Sequence, residues 1–439
     1  MARAMTARTG AGVAALLALA LPLSGCASRS RELAGRTHVV VWSGWVGVEQ
    51  DAFERIIGIF NADQHRYFLE NRSTVEDDTK LFRAITAGTP PDFFFLWETS
   101  YIGALAANGA VRPLDEYCAR SGLREEEFIP GALAQGRYRG KLYAVPFLID
   151  AQALFWNRDV FAEAGLDPER PPQTLEELVD LAVKLTKRDE RGNLVRVGFQ
   201  PPSVEQVIGL FGGRFTNPAT GAITADDPRN VEALEWYVRM AYAQGGGLRI
   251  DSFKAGFGEY NSPNHQFFTG KVAMMFSGEW WPSYVTRYSP TTDYGVTALP
   301  YPGKYPQQKG VTFLGGNFAA IPTESKHPRG AWAFIQWMQS RRAQVEFSKV
   351  MHGLPNVRSA IFAPELTRGN REKEAFGVMC GIVARREGAV FPPTPVNVAY
   401  MTELETAAQR AMRKTVTPQA ALEQVQRRLR VYMEPYRGL

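Results

Sequence analysis

Short apolar runs alternate with segments of helical period along most of this 439-residue chain, and nothing else in it restricts the fold so much. His38-Val-Val-Val-Trp42 and Asp92-Phe-Phe-Phe-Leu-Trp97 read as near-continuous hydrophobic stretches, as strands buried on both faces require. Between them, Phe53, Ile56, Ile57 and Phe60 recur at helical spacing on one face. A strand at residues 67–71, a helix at 81–87 and a turn at Gly88-Thr-Pro-Pro91 complete the first stretch. Strand–helix alternation predicts an α/β fold with mostly parallel sheets and helices on their faces. In such sheets ligands bind beyond the carboxyl ends of the strands. Trp45 and the group Trp97, Glu98 and Thr99 fall at such ends.

Tyr138-Arg-Gly-Lys-Leu-Tyr-Ala-Val-Pro146 reads as a turn and a strand leading into a second unit. That unit opens with a strand at residues 153–157 and a helix at 159–164, which Gly165 ends. Thr174 and Glu177 form a capping box for a helix reaching Leu185, and residues 192–200 return as a strand. A Gly- and Asn-rich loop at 209–221 precedes a helix at 230–244. The run from Phe267 to Phe276 gives a turn and a buried strand, delivering Ser277-Gly-Glu-Trp-Trp281 into a loop. Strands at 294–299 and 312–321, a helix at 331–339 and amphipathic helices at 401–413 and 418–433 follow, with no internal repeat.

The first residues carry Arg3 and Arg8, no acid before Glu32, and an apolar run at 11–23 too short to span a bilayer. Leu23-Ser24-Gly25-Cys26 resembles the lipobox of bacterial lipoproteins, so residues 1–25 are expected to be a cleaved signal. Cys26 would then carry the lipid, and residues 26–36 would form a flexible leash outside the cytoplasm. Loss of Arg3 and Arg8 lowers the net charge from +5 to +3, too balanced for a nucleic-acid partner. With five His and no paired Cys or His at ligand spacing, neither a metal nor a cofactor is expected. Aromatics make up 12% of residues, and several of the nine Trp stand beside Gly or Pro, where planar ligands could stack. No G-x-S-x-G, H-E-x-x-H or P-loop sequence occurs.

Four blocks carry a family likeness: Tyr138-Arg-Gly-Lys-Leu-Tyr-Ala-Val-Pro146; Ala153-Leu-Phe-Trp-Asn-Arg-Asp-Val-Phe-Ala-Glu-Ala-Gly165; Gly270-Lys-Val-Ala-Met-Met-Phe-Ser-Gly-Glu-Trp280; and Gly315-Gly-Asn-Phe-Ala-Ala-Ile-Pro322 with Ala331-Trp-Ala-Phe-Ile335. In this order they resemble the carbohydrate-type extracellular solute-binding proteins of ABC importers, the maltodextrin-binding group among them. The resemblance implies a periplasmic-binding-protein-like fold of two α/β lobes joined by a multi-strand hinge. Lobe I would comprise residues 37–147 plus 313–362, and lobe II residues 148–312 plus 363–439. A monomer would close around a sugar and present it to a membrane permease. Cys118 and Cys380 would fall in different lobes, so a bond between them is not expected.

The same resemblance puts Trp280 where an aromatic ring stacks on a sugar face, flanked by Glu279 and Trp281. Pyranose faces are apolar and their edges are hydroxyls, so a ring plus nearby carboxylates or amides serves both. Trp45 offers a second stacking wall or a core plug, Trp97 and Glu98 a contact at a strand end, and Asp150 either a cleft group or a hinge prop. Gly315, Gly316 and Asn317 would bring backbone amides close to the ligand, and Tyr400 an aromatic from the C-terminal helices. Three other functions stay open: a glycoside hydrolase drawing its carboxyl pair from Glu98, Asp150 and Glu279, a binder of a glycerophosphodiester or polyamine, or a ligand sensor that signals to a membrane kinase. A phosphate would need a cation such as Arg358 in the cleft.

Overall fold

The computed structural model describes residues 35–73, 78–96, 99–258, 262–385 and 388–436. Cys26, Trp97 and Glu98 lie outside these residues. The strands are β1 (Thr37–Ser43), β2 (Tyr67–Ser73), β3 (Phe93–Leu96), β4 (Arg137–Tyr138), β5 (Lys141–Leu142), β6 (Ala144–Ala151), β7 (Ala153–Asn157), β8 (Lys187–Arg188), β9 (Leu194–Gln200), β10 (Val272–Ser277), β11 (Tyr294–Thr297), β12 (Leu314–Ala320) and β13 (Leu354–Pro355). Two sheets result, in the orders β13-β6-β12-β3-β1-β2 and β11-β7-β10-β9-β8, with β4 and β5 as a separate hairpin.

The Phe93-Phe-Phe-Leu96 run shows why the first sheet needs cover on both faces. Phe93 and Phe95 point into a core with Phe53, Phe147, Phe334 and Phe347, under the helices Val48–Asp63, Pro328–Met338 and Arg341–Met351. Phe94 and Leu96 point the other way, onto Leu81, Ile102, Leu105 and Phe318. The period-2 alternation of a strand thus sends every residue of this run into a core. In the second sheet Leu154 and Trp156 face Phe161, Leu178 and Phe199, while Phe155 and Met275 face the side occupied by Phe376, Met379 and Cys380. The Thr174 cap is present, with Glu177 N–H donating to Thr174 Oγ1 at 3.2 Å, but the Glu177 carboxylate reaches one residue further back than in a capping box, accepting from Gln173 N–H at 2.7 Å.

Strand sense departs from the mostly parallel expectation. Among the described residues, only β1–β2 and β1–β3 in the first sheet and β9–β10 in the second run parallel; the other pairings are antiparallel. The cause is topological. The chain leaves the first sheet along β6 and returns along β12, so these two strands pair with opposite sense. β6 also stays in the first sheet as far as Ala151, paired with Leu314, so the passage out falls at Gln152 rather than after residue 147. There Gln152 N–H donates to Thr312 Oγ1 at 3.0 Å, and the Thr312 hydroxyl donates to Gln152 O at 2.6 Å. A third passage leaves β13 and reaches the helix Arg371–Arg385, which packs on β11. Among the described residues no helix is long and apolar enough to cross a membrane.

Candidate functional site

Three parallel-strand ends converge between the sheets. β3 is followed by Thr99 and Ser100, β9 by Glu205 and Gln206, and β10 by Glu279 and Trp280. All of these but Glu279, with the hinge residues Asp150, Gln152 and Gly315, border a cavity of about 280 Å³. That volume is near the lower end of small-molecule sites, which run from about 300 to 1,000 Å³. Trp280, Phe313, Phe391 and Met401 supply its apolar surface. Gln135, Gln152, Asp150, Glu205 and Gln206 supply polar groups, and no Lys, Arg or His is among the described lining residues.

Trp280 owes its place to local structure. Its carbonyl accepts from the Ser283 hydroxyl at 2.7 Å, it stands at the N-terminus of the helix Trp281–Tyr288, and Pro282 fixes the first turn. The indole lies against Gly278, where a Cβ would come within 2.1 Å of Trp280 Cζ3. The ring is therefore half-buried, braced behind and open toward the cavity.

Asp150 and Glu279 form a hydrogen-bonded carboxyl pair. Glu279 is 1% exposed, and its Oε2 accepts from Ala151 N–H at 3.1 Å. Burial, then the charge on Asp150, holds the Glu279 carboxyl well above the usual carboxylate range. Burial also raises Asp150, and the hydrogen bond from Glu279 opposes that rise. Asp150 borders the cavity, where its carboxyl can meet a ligand's hydroxyls, and Glu279 is enclosed behind it.

Asp150, Trp280, Gly315 and Gly316 thus border the cavity, with Glu279 directly behind Asp150. Trp45 does not: it is 1% exposed and wedged among Phe53, Phe95 and Phe347 at ring distances of 4.6, 4.7 and 5.7 Å. Trp281 is fully buried, stacked on Phe268 at 4.9 Å and 12°. Tyr400 is also fully buried, its hydroxyl donating to Phe215 O at 3.1 Å and its ring against Phe391. These three fill cores: Trp45 from the loop after β1, and Trp281 and Tyr400 from the inward faces of their helices. Asn317 lies on β12 opposite Leu148, beyond the cavity's edge at Gly316. Arg358 donates to Glu126 O at 3.0 Å and does not line the cavity.

Sequence reasoning passed over Glu205, Gln206, Phe391 and Gln135. The first two follow a strand's carboxyl end, and Phe391 stands beside Pro392-Pro393, so the rules that flagged Trp45 would have found them. Gln135, in the 3₁₀ turn Leu133–Gly136, had no such signal.

The sequence profile described as "Bacterial extracellular solute-binding protein" matches residues 60–370. The chain belongs to this family. A maltotriose-binding protein of Pyrococcus abyssi is 25% identical over 314 residues, 69% of this chain and 62% of that protein. The sn-glycerol-3-phosphate-binding periplasmic protein UgpB of Escherichia coli K12 is 29% identical over 181 residues, 39% of each chain. The match thus spans less than two thirds of these relatives' own length. Among solved structures, CpMnBP1 with mannobiose bound superposes with a TM-score of 0.76 at 28% identity, covering 89% of this chain and 99% of that one. The cyclic alpha-maltosyl-1,6-maltose binding protein of Arthrobacter globiformis gives 0.70 at 23% identity, covering 90% and 98%, a likeness of fold.

Proposed function

We propose that this solute-binding protein captures a neutral carbohydrate between its two sheets and delivers it to the permease of an ABC importer. The observation that carries this reading is the cavity's make-up: the braced, half-open Trp280 indole faces amide and carboxylate groups, with no cation among the described lining residues. A sugar ring needs an apolar platform and several hydrogen-bond partners, and it needs no counter-charge. Relatives named for maltotriose and mannobiose support the same class. A phosphate would have to enter beside Asp150 and Glu205 with no Arg or Lys to receive it, which disfavours a glycerophosphate despite the partial match to UgpB.

The protein acts by binding alone. A glycosidase holds its two carboxyls on either side of the scissile bond, roughly 5 Å or more apart. Of Asp150 and Glu279 only the first borders the cavity, while the second is enclosed and held by Ala151 N–H, so this pair does not flank an open space. A lipid on Cys26 would keep the receptor close to its permease. The acidic lining supports one second reading, a polyamine held by Asp150 and Glu205.

A thermal-shift screen of the chain from residue 26, with Cys26→Ala, separates these ligands. Mannobiose or maltotriose should raise the melting temperature, since a ligand at 100 times its Kd adds about 2.7 kcal/mol. A shift with spermidine or sn-glycerol 3-phosphate alone would overturn the sugar reading.

A further inference from the structure

Among the described residues around the cavity, Gln135 alone combines three properties. It is 1% exposed, it borders the cavity, and its Nε2 makes no hydrogen bond to any protein group. A buried amide without a partner costs about 1–3 kcal/mol, so such a group persists only where something else repays it. Its backbone is not free to turn the side chain elsewhere. Tyr143 N–H donates to Gly136 O at 2.9 Å, and a Cβ on Gly136 would come within 2.0 Å of Ala144 O, so the turn is pressed flat against β6. On its other side Ala132 and Leu133 are anchored in the core of lobe I. Rigid backbone on both flanks fixes where this amide sits at the cavity's border.

We infer that Gln135 is a ligand-binding residue of lobe I, whose amide hydrogen-bonds a sugar hydroxyl in the cavity bordered by Asp150 and Trp280. This rests on the carbohydrate reading above and adds to it a residue and a role. Asp150 accepts hydrogen bonds at the hinge and Trp280 offers a face from the second sheet. Gln135 gives the first sheet a directional donor, and a hydroxyl bonded to it is held by lobe I as well as lobe II. Ligands lacking a hydroxyl at that place leave the amide orphaned and are rejected.

The test compares Gln135→Met, Gln135→Ala and Trp280→Ala with the unmodified chain, by titration calorimetry with mannobiose and maltotriose and by melting without ligand. Gln135→Met keeps the volume and removes the orphaned amide, so the unliganded chain should melt no lower than the parent while sugar affinity falls about tenfold. A residue that merely supports the fold would lower both together. Unchanged affinity in Gln135→Met, with binding lost in Trp280→Ala, overturns the inference and leaves the cleft reading intact. A drop in melting temperature with unchanged affinity also overturns it. If neither sugar binds the unmodified chain, both readings fall. Should Gln135→Ala misfold, Gln135→Met still decides.

Discussion

Two adjacent tryptophans have opposite duties. Trp280 is half-buried against Gly278 and borders the cavity, whereas Trp281 is fully enclosed by His265, Phe267 and Phe268. Trp280→Ala should therefore weaken sugar binding by about 2 kcal/mol, or roughly 30-fold, and leave melting nearly unchanged. Trp281→Ala should cost about 3–5 kcal/mol of stability, because it empties a packed site. Calorimetry and melting on the two variants check this; equal effects on binding would refute it. The Asp150–Glu279 pair adds a pH dependence. The Glu279 carboxyl is raised above its ordinary value of 4.5, so its stabilising contribution is full below about pH 4.5 and declines as pH rises through the raised value. Glu279→Gln keeps a donor for Asp150 and an acceptor for Ala151 N–H without a titrating proton. Melting of this variant should be flatter than the parent's from pH 4.5 upward, and a parallel curve would show that the pair does not carry the effect.

The β6–β12 pairing is the element on which the site depends, since it brings Asp150 opposite Gly315. Gly316 has φ +144°, and a Cβ there would stand 2.5 Å from Leu148 O. Gly316→Ala should destabilise the chain by about 1–3 kcal/mol through backbone strain. At Gly315 the nearest atoms to an added Cβ are those of Asp150, at 3.8 Å and beyond, so Gly315→Ala should spare stability and crowd the ligand instead. Melting and titration of the two variants should separate cleanly; a stable Gly316→Ala would argue against the strain. At this scale the sequence was legible where period and punctuation agreed, as in the buried β3 run or the Thr174 cap. It was less so where helices carry mixed faces: Arg341–Met351 and Arg371–Arg385 are clear in the structure but were not read from their sequence. The helix Val204–Leu210 likewise extends into what reads as a Gly-rich loop, because Gly209 is tolerated under packing by Ala389 and Phe313.

For the molecule as a whole, the two inner cysteines report on how the lobes are joined. Cys118 lies in the helix Asp115–Ser121 beside the first sheet and Cys380 in the helix Arg371–Arg385 beside the second, and the structure does not bond them. Burial pushes the Cys118 thiol up to about 11 and raises Cys380 further. A Cys26→Ala chain should release two thiols per molecule in guanidinium and react slowly when native at pH 7.5; fewer than two would mean a bond that tethers the lobes. What the sequence by itself determined was the class of the architecture, the family-like blocks along the chain, and the one around Trp280 in particular. Each of these is a local pattern: apolar periodicity, a short motif, or residues contiguous along the chain. Which aromatics border the cavity was decided only in three dimensions. Trp45, Trp281 and Tyr400 have the same chemistry as Trp280, but the face each presents depends on helices packed against it from distant segments. Gln135 shows the reverse: a commonplace residue in an unremarked turn, given a role because folding buries its amide without a partner at the edge of the cavity.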